Sequence, residues 1–141
     1  MGIFFILAVA LMFEANSPRD NIEHTKDSLE VIKKNVAEGK AVLVDVRSEE
    51  EWKEGHLEGS LFVPVTSLRK GGDPKELAKV LPEKKILYTF CVVGMRAKQA
   101  GLILENQGYT VRALKPGFRG RMGATFRFVA PTLTVVGGTG T

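Results

Sequence analysis

Short apolar runs alternate with amphipathic segments along most of the chain. Four segments have the composition of strands: 41–46, 61–64, 86–90 and 109–114. Helical spacing and capping residues predict a helix from Asp27 or Ser28 to Gly39, a short helix opened by Ser48, a turn of helix over 65–70, and helices over 74–80 and 96–106. This alternation indicates an α/β domain with a mainly parallel central sheet flanked by helices.

The two ends of the chain depart from this pattern. Residues 2–13 are almost wholly apolar, a run shorter than the about 20 residues of a membrane-spanning helix. We expect a signal peptide over 1–15 and a linker over 16–21, with the mature protein periplasmic or secreted. If the first segment instead packs on the domain, a cytoplasmic location is expected. The domain is predicted over 22–118. A basic, irregular tail follows over 119–141, in which 125–136 holds either a weak strand or no regular structure.

Composition narrows the classes of function. A chain of 141 residues with 44% hydrophobic residues is long enough for one well-packed domain. Its single cysteine forms no internal disulfide, and with two separated histidines it makes no metal-ligand cluster, so no metal site is predicted. The net charge of +4 is concentrated after Val111, where five basic residues and no acid occur. A basic tail can bind nucleic acid or a membrane, but on composition a solvated tail is preferred and no nucleic-acid partner is predicted.

The single cysteine lies where reactive chemistry is expected. Cys91 follows the apolar run 86–90, Gly94 marks a turn, and helical periodicity begins near Arg96. Ligands bind at the carboxyl ends of parallel strands, and a helix N-terminus adds N–H donors and partial positive charge. A thiol there is expected to ionise more readily than a free one, and its thiolate is a nucleophile. A buried structural cysteine is the alternative, but this strand–cysteine–turn–helix order favours the reactive site.

Two blocks of sequence resemble the rhodanese family of sulfurtransferases over about residues 22–118. The first block is Asp45-Val46-Arg47, Glu51-Trp52, Gly55-His56-Leu57-Glu58-Gly59-Ser60 and Pro64; the second is Cys91-Val92-Val93-Gly94-Met95-Arg96, followed by a helix and Gly108. The resemblance implies a rhodanese-like domain with no cofactor. It implies that Cys91 takes a sulfane sulfur from thiosulfate or a persulfide and passes it to a thiol or cyanide.

The resemblance also implies roles for the remaining motif residues. Arg96 joins Cys91 as a catalytic residue, and the loop between them binds the outer sulfur through its N–H groups: Val92, Val93, Gly94 and Met95. The supporting residues are Asp45, Arg47 and His56. His24 stands near the start of the domain and is interpreted as incidental.

Three functions remain as hypotheses. The first is sulfur transfer, with thiosulfate in question as the donor because Val92 stands where thiosulfate-using relatives often carry a basic residue. The second is a non-enzymatic sulfur carrier or interaction module, which the intact Cys91 and Arg96 argue against. The third is a small cysteine phosphatase or arsenate reductase. Those related enzymes have a loop one residue longer, so the shorter spacing favours sulfur.

Overall fold

The structure is a computed structural model that describes residues 18–115 and 126–129, so the expected signal peptide and most of the tail lie outside the described residues. The helices are α1 (Leu29–Ala37), α2 (Glu49–Glu54), α3 (Val65–Arg69), α4 (Pro74–Val80) and α5 (Met95–Asn106). The strands are β1 (Ala41–Asp45), β2 (His56–Leu57), β3 (Leu61–Phe62), β4 (Ile86–Phe90), β5 (Thr110–Ala113) and β6 (Phe128–Val129). Within the described part of the chain, no helix has both the length and the apolar character needed to cross a membrane.

The main sheet has four strands in the order β3-β1-β4-β5, and every neighbouring pair is parallel. The register places Asp45 opposite Phe90, so β1 and β4 end side by side. The residue after β4 is Cys91. The predicted α/β class with a mainly parallel sheet is therefore confirmed, and the cysteine lies at its carboxyl edge.

Successive residues of the central strands face two different cores. Val44 and Leu87 belong to the core that contains the apolar side chains of α3, α4 and α5. Leu43 and Tyr88 belong to a second core, together with Ile32 of α1. This alternation follows from the two-residue period of a strand. Helices therefore cover both faces of the sheet, which explains why its two central strands, β1 and β4, are almost wholly apolar.

Local capping sets where several helices begin. The Ser28 hydroxyl accepts a hydrogen bond from the N–H of Val31 at 3.3 Å, which selects Ser28 from the two predicted caps of α1. Ser48 and Glu51 form a reciprocal capping box on α2, with bonds of 3.3 and 2.9 Å. These contacts lie within one turn of helix, so they depend on neighbouring residues and not on the packing of the sheet.

A second, antiparallel pair of strands was not predicted as such. β2 pairs with β6, and His56 lies opposite Val129. Of the two alternatives for 125–136, a strand is therefore present at Phe128–Val129. Gly55 allows this contact, because a Cβ atom there would lie 2.1 Å from Cε1 of Phe128 and the Gly55 φ of +152° is one that other residues rarely adopt. This part of the tail belongs to the folded domain.

The segment before α1 is hydrogen-bonded to β5, the edge strand of the main sheet, and to the end of α5. The backbone N–H of Arg19 donates to Asn106 Oδ1 at 2.8 Å, at the end of α5. The Thr25 N–H then donates to the Ala113 carbonyl at 2.8 Å, and His24 forms an isolated parallel bridge with Ala113. Residues 19–25 consequently run beside β5 towards the carboxyl edge of the sheet.

Candidate active site

The cysteine is held at the start of a tight turn. Cys91 is only 2% exposed, and its Sγ accepts a hydrogen bond from the Gly94 N–H at 3.1 Å. Gly94 is the N-cap of α5 and has a left-handed backbone with φ of +86°, a conformation that glycine adopts without a steric penalty. The turn therefore folds the backbone back onto the sulfur and places it at the N-terminus of a 12-residue helix.

The loop around this buried sulfur presents apolar side chains to solvent. Val92, Val93 and Met95 are 44%, 60% and 62% exposed. Met95 also borders a groove of about 240 Å³ whose lining is mostly polar, with Ile22 and Leu102 as its other apolar residues. The exposed side chains of the loop before Arg96 are therefore hydrophobic, and the polar groups that this part of the loop offers are those of the backbone.

Arg96 is paired with an acid from another element of the fold. Its Nη1 and Nη2 donate to Oε2 and Oε1 of Glu51 at 2.5 and 3.0 Å. The Arg96 hydrogen bonds, with partial burial opposing them, lower the pKa of Glu51 to about 2. Hydrogen bonding to Glu51 raises the pKa of Arg96, and interactions with Cys91 add a smaller contribution in the same direction. The guanidinium thus interacts electrostatically with both the carboxylate and the thiol.

Asp45 and Arg47 form a buried ion pair at the end of β1. Arg47 Nε lies 2.9 and 3.0 Å from the two carboxylate oxygens of Asp45, and Arg47 Nη2 lies 2.7 Å from Oδ2. The same Nη2 donates to the Gly55 carbonyl at 2.8 Å. Asp45 is the register partner of Phe90, which precedes Cys91. The pair therefore ties the strand beside the site to the turn before β2, which fits the supporting role expected for both residues.

His56 is packed into a stack of aromatic rings. Its imidazole lies 3.6 Å from the Trp52 ring, centroid to centroid, at an interplanar angle of 6°. Its Nδ1 is 3.1 Å from the Trp52 carbonyl oxygen, so Nδ1 carries the proton and donates it. Trp52 stacks in turn on Phe62 at 4.9 Å. These contacts fix the turn between α2 and β2, and they favour the supporting role that the resemblance implies.

Two residues at the site were missed as functional candidates in the sequence. His24 lies with Nε2 3.2 Å from the Gly94 carbonyl oxygen, although it was interpreted as incidental. In the sequence, Glu51 stands out only as a member of the first motif block. Its capping-box spacing from Ser48 explains its place in α2 but does not indicate Arg96, which is 45 residues away. In the described segments, no group of three or more His, Cys, Asp and Glu side chains could hold a metal ion.

The chain resembles proteins that contain a rhodanese-like domain. The sequence profile of the rhodanese-like domain matches residues 28–122. The thiosulfate:glutathione sulfurtransferase of Homo sapiens is 34% identical over 91 residues, which are 59% of this chain and 79% of that protein. YrkF of Bacillus subtilis strain 168, named as a sulfur carrier, is 30% identical over 100 residues; the match spans 70% of this chain but only 51% of that protein.

A solved structure shows the same fold at similar identity. The human single-domain sulfurtransferase TSTD1 superimposes with a TM-score of 0.57 and 32% sequence identity, over 69% of this chain and 94% of that one. The profile match extends from α1 beyond β5 and contains both motif blocks, Cys91 and Arg96 included. The chain belongs to the rhodanese-like domain family.

Proposed function

We propose that this protein is a sulfurtransferase that carries a sulfane sulfur on Cys91. The observation that carries the proposal is the turn at Gly94, whose N–H lies 3.1 Å from Cys91 Sγ at the N-terminus of α5. Donors fixed in this way stabilise anionic sulfur without having to reorganise during the reaction. Membership of the rhodanese family and the names of the sulfurtransferase relatives support the same function.

The reaction divides into two balanced displacements. In the first, the Cys91 thiolate bonds to the outer sulfur of thiosulfate, the S–S bond of the donor breaks, and sulfite leaves with the electron pair. A persulfide donor reacts in the same way and releases a thiolate. In the second, an acceptor thiolate or cyanide bonds to the outer sulfur of the Cys91 persulfide, and Cys91 leaves as a thiolate. Dividing the transfer in this way is the advantage of a covalent nucleophile.

Each residue of the site has a separate role in this proposal. Cys91 is the nucleophile, and the backbone of 92–95 holds the outer sulfur. Arg96 provides positive charge beside the thiol, consistent with its interactions with both Glu51 and Cys91. Asp45 and Arg47 are positioning residues, because they brace the end of the strand next to β4.

A non-enzymatic sulfur carrier is the second candidate, and the relative named as a sulfur carrier favours it specifically. A carrier would hold the same persulfide on Cys91 but would not turn over with small donors and acceptors. A phosphatase would instead hydrolyse an aryl phosphate and leave no sulfur adduct. Loading and turnover therefore separate the three functions.

Intact mass spectrometry of the full chain tests the proposal. Incubation with thiosulfate or a persulfide, without acceptor, is expected to add the mass of one sulfur atom, mapped by peptide analysis to Cys91. Cyanide or a thiol should then restore the original mass, and multiple turnovers should follow when both substrates are present. Cys91→Ser should remain folded and unmodified. Loading without turnover would favour the carrier, and hydrolysis of an aryl phosphate without any sulfur adduct would favour the phosphatase.

A further inference from the structure

The positive charge of the loop, on Arg96, is already paired with the Glu51 carboxylate. Arg96 is the only charged residue in the loop 91–96, and both of its terminal nitrogens donate to the Glu51 carboxylate at 2.5 and 3.0 Å. Such a fork uses the same two donors that would bind two oxygens of a sulfonate. A donor that needs Arg96 must therefore displace Glu51 or bind beside a neutral pair.

We propose that Glu51 is a specificity-determining residue that disfavours the thiosulfate dianion and favours singly charged donors with an organic leaving group. This inference rests on the proposed sulfurtransferase function and names its substrate class. Glu51, which lies outside the loop, would thus control which sulfane donors reach Cys91.

At neutral pH the Glu51 carboxylate is always ionised, so it always competes with an anionic donor for Arg96. Because hydrogen bonding to Arg96 holds the pKa of Glu51 at about 2, its carboxylate is ionised at any ordinary working pH. The Glu51 and Arg96 side chains remain 30% and 29% exposed, so the pair is reached from solvent and is not sealed in the core. An incoming dianion therefore meets a carboxylate that competes for the same guanidinium.

The apolar loop side chains favour the same class of donor. Val92, Val93 and Met95 stand exposed around the buried Cys91 sulfur, and none of them can donate a hydrogen bond to a sulfonate oxygen. An organic leaving group can instead bury apolar surface against these side chains, which is favourable in water. The charge pairing and the loop surface are independent observations that select against a small, doubly charged donor.

Thiosulfate and methanethiosulfonate form a matched pair of probes. Both carry a transferable sulfur on a tetrahedral sulfur centre, but a methyl group replaces one charged oxygen in the second. With either probe the Cys91 thiolate bonds to the outer sulfur and the donor S–S bond breaks. The electron pair leaves with sulfite in one case and with methanesulfinate in the other. The two reactions differ mainly in the charge and polarity of the leaving group.

The test measures the rate of Cys91 persulfide formation against donor concentration, by quenched flow and intact mass, so that no acceptor is involved. Wild-type protein should use methanethiosulfonate more efficiently than thiosulfate. Glu51→Gln should raise the second-order rate constant for thiosulfate about tenfold, mainly through tighter apparent binding, the scale of one charge-assisted hydrogen bond. The rate constant for methanethiosulfonate should change less than about threefold, because its single charge needs Arg96 less.

Glu49→Gln is the matched control. Glu49 precedes Glu51 by two residues in α2 and pairs with Lys53 at 2.7 Å, with both side chains more than half exposed. Its replacement removes the same charge from the same helix but leaves Arg96 paired. The ratio of the rate constant for thiosulfate to that for methanethiosulfonate is expected to stay within about twofold of wild type, since exposed charges are largely screened.

The outcomes separate the inference from the function beneath it. An unchanged ratio of the two rate constants in folded Glu51→Gln overturns the inference and leaves sulfur transfer standing. Absence of a Cys91 persulfide with both probes in wild-type protein overturns the proposed function as well.

The amide side chain introduced by Glu51→Gln retains an oxygen to accept the Ser48 N–H, so the capping box of α2 is kept. Glu51→Asp, whose shorter side chain weakens the fork, should shift the ratio in the same direction by less, and no shift there would also contradict the inference.

Discussion

The Nε2 atom of His24 lies 3.2 Å from the Gly94 carbonyl oxygen, 70 residues further along the chain. Because a carbonyl oxygen can only accept, the imidazole donates. The same carbonyl accepts from the Lys98 N–H at 3.1 Å, while the Gly94 N–H donates to Cys91 Sγ. Gly94 is therefore fixed from both sides, and the segment before α1 shapes the loop that holds the sulfur.

Replacing His24 with alanine should loosen this loop without unfolding the domain. A neutral hydrogen bond contributes about 0.5–1.5 kcal/mol, so exchange of the Gly94 amide hydrogen should accelerate roughly two- to tenfold. The Cys91 persulfide should be lost correspondingly faster. Hydrogen exchange followed by NMR checks the first effect, and the time course of intact mass checks the second.

His24→Gln retains an N–H donor and should recover part of the protection. Lys26→Ala, at an exposed position of the same segment, should behave as wild type. Equal exchange rates for Gly94 in His24→Ala and wild-type protein would show that the histidine does not hold the loop.

The buried pair of Asp45 and Arg47 should dominate the stability of the sheet edge beside the site. Arg47→Ala leaves a buried carboxylate without its guanidinium and also removes the donor to the Gly55 carbonyl. The free energy of unfolding should fall by about 3–5 kcal/mol, as for other broken buried pairs. Urea unfolding followed by circular dichroism measures this change.

Lys53→Ala provides the comparison for that loss, because it breaks the exposed pair with Glu49. Its cost should be about 1 kcal/mol or less. If the two variants unfold at the same urea concentration, the buried pair contributes no more to the free energy of unfolding than the exposed pair does.

The stability supplied by Glu51 should depend on pH in the acid range. The pKa of Glu51 is lowered from 4.5 to about 2 in the folded protein, chiefly by hydrogen bonding to Arg96. Its contribution is therefore complete above about pH 4.5 and is lost as the pH falls towards 2. The difference in unfolding free energy between wild type and Glu51→Gln should be about 1 kcal/mol at neutral pH. It should approach zero near pH 2. Urea titrations at several pH values test this, and a difference that grew towards pH 2 would contradict the assignment.

Arg96 should affect the doubly charged donor thiosulfate more strongly than the singly charged donor methanethiosulfonate. Arg96→Ala removes the guanidinium beside Cys91, and the rate constant of persulfide formation with thiosulfate should fall about tenfold or more. Arg96→Lys should recover only part of it, because an ammonium group lacks the planar fork. The measurement is quenched flow with thiosulfate and methanethiosulfonate in parallel. Equal losses for the two donors would assign Arg96 to loop structure and not to donor charge.

Local signals explain which elements could be predicted. α4 was predicted with its observed bounds because Pro74 is typical of a first helical turn, and β4 because 86–90 is an unbroken apolar run. The position of Cys91 followed from β4, since a loop after a parallel strand opens at the carboxyl edge of the sheet. By contrast, β2 and β6 contain two residues each, too few to show a period, and their pairing joins residues as distant as His56 and Val129.

The sequence by itself determined the order of the helices and of the four strands of the main sheet, the family, and the chemical groups of the loop from Cys91 to Arg96. Each depends on contacts within a few residues or on a motif that can be read in one line. Only the tertiary structure decided that Glu51 pairs with Arg96 and that His24 donates a hydrogen bond to the Gly94 carbonyl. Both contacts join elements whose relative positions are set by packing around the sheet, and no local pattern in the chain encodes that distance.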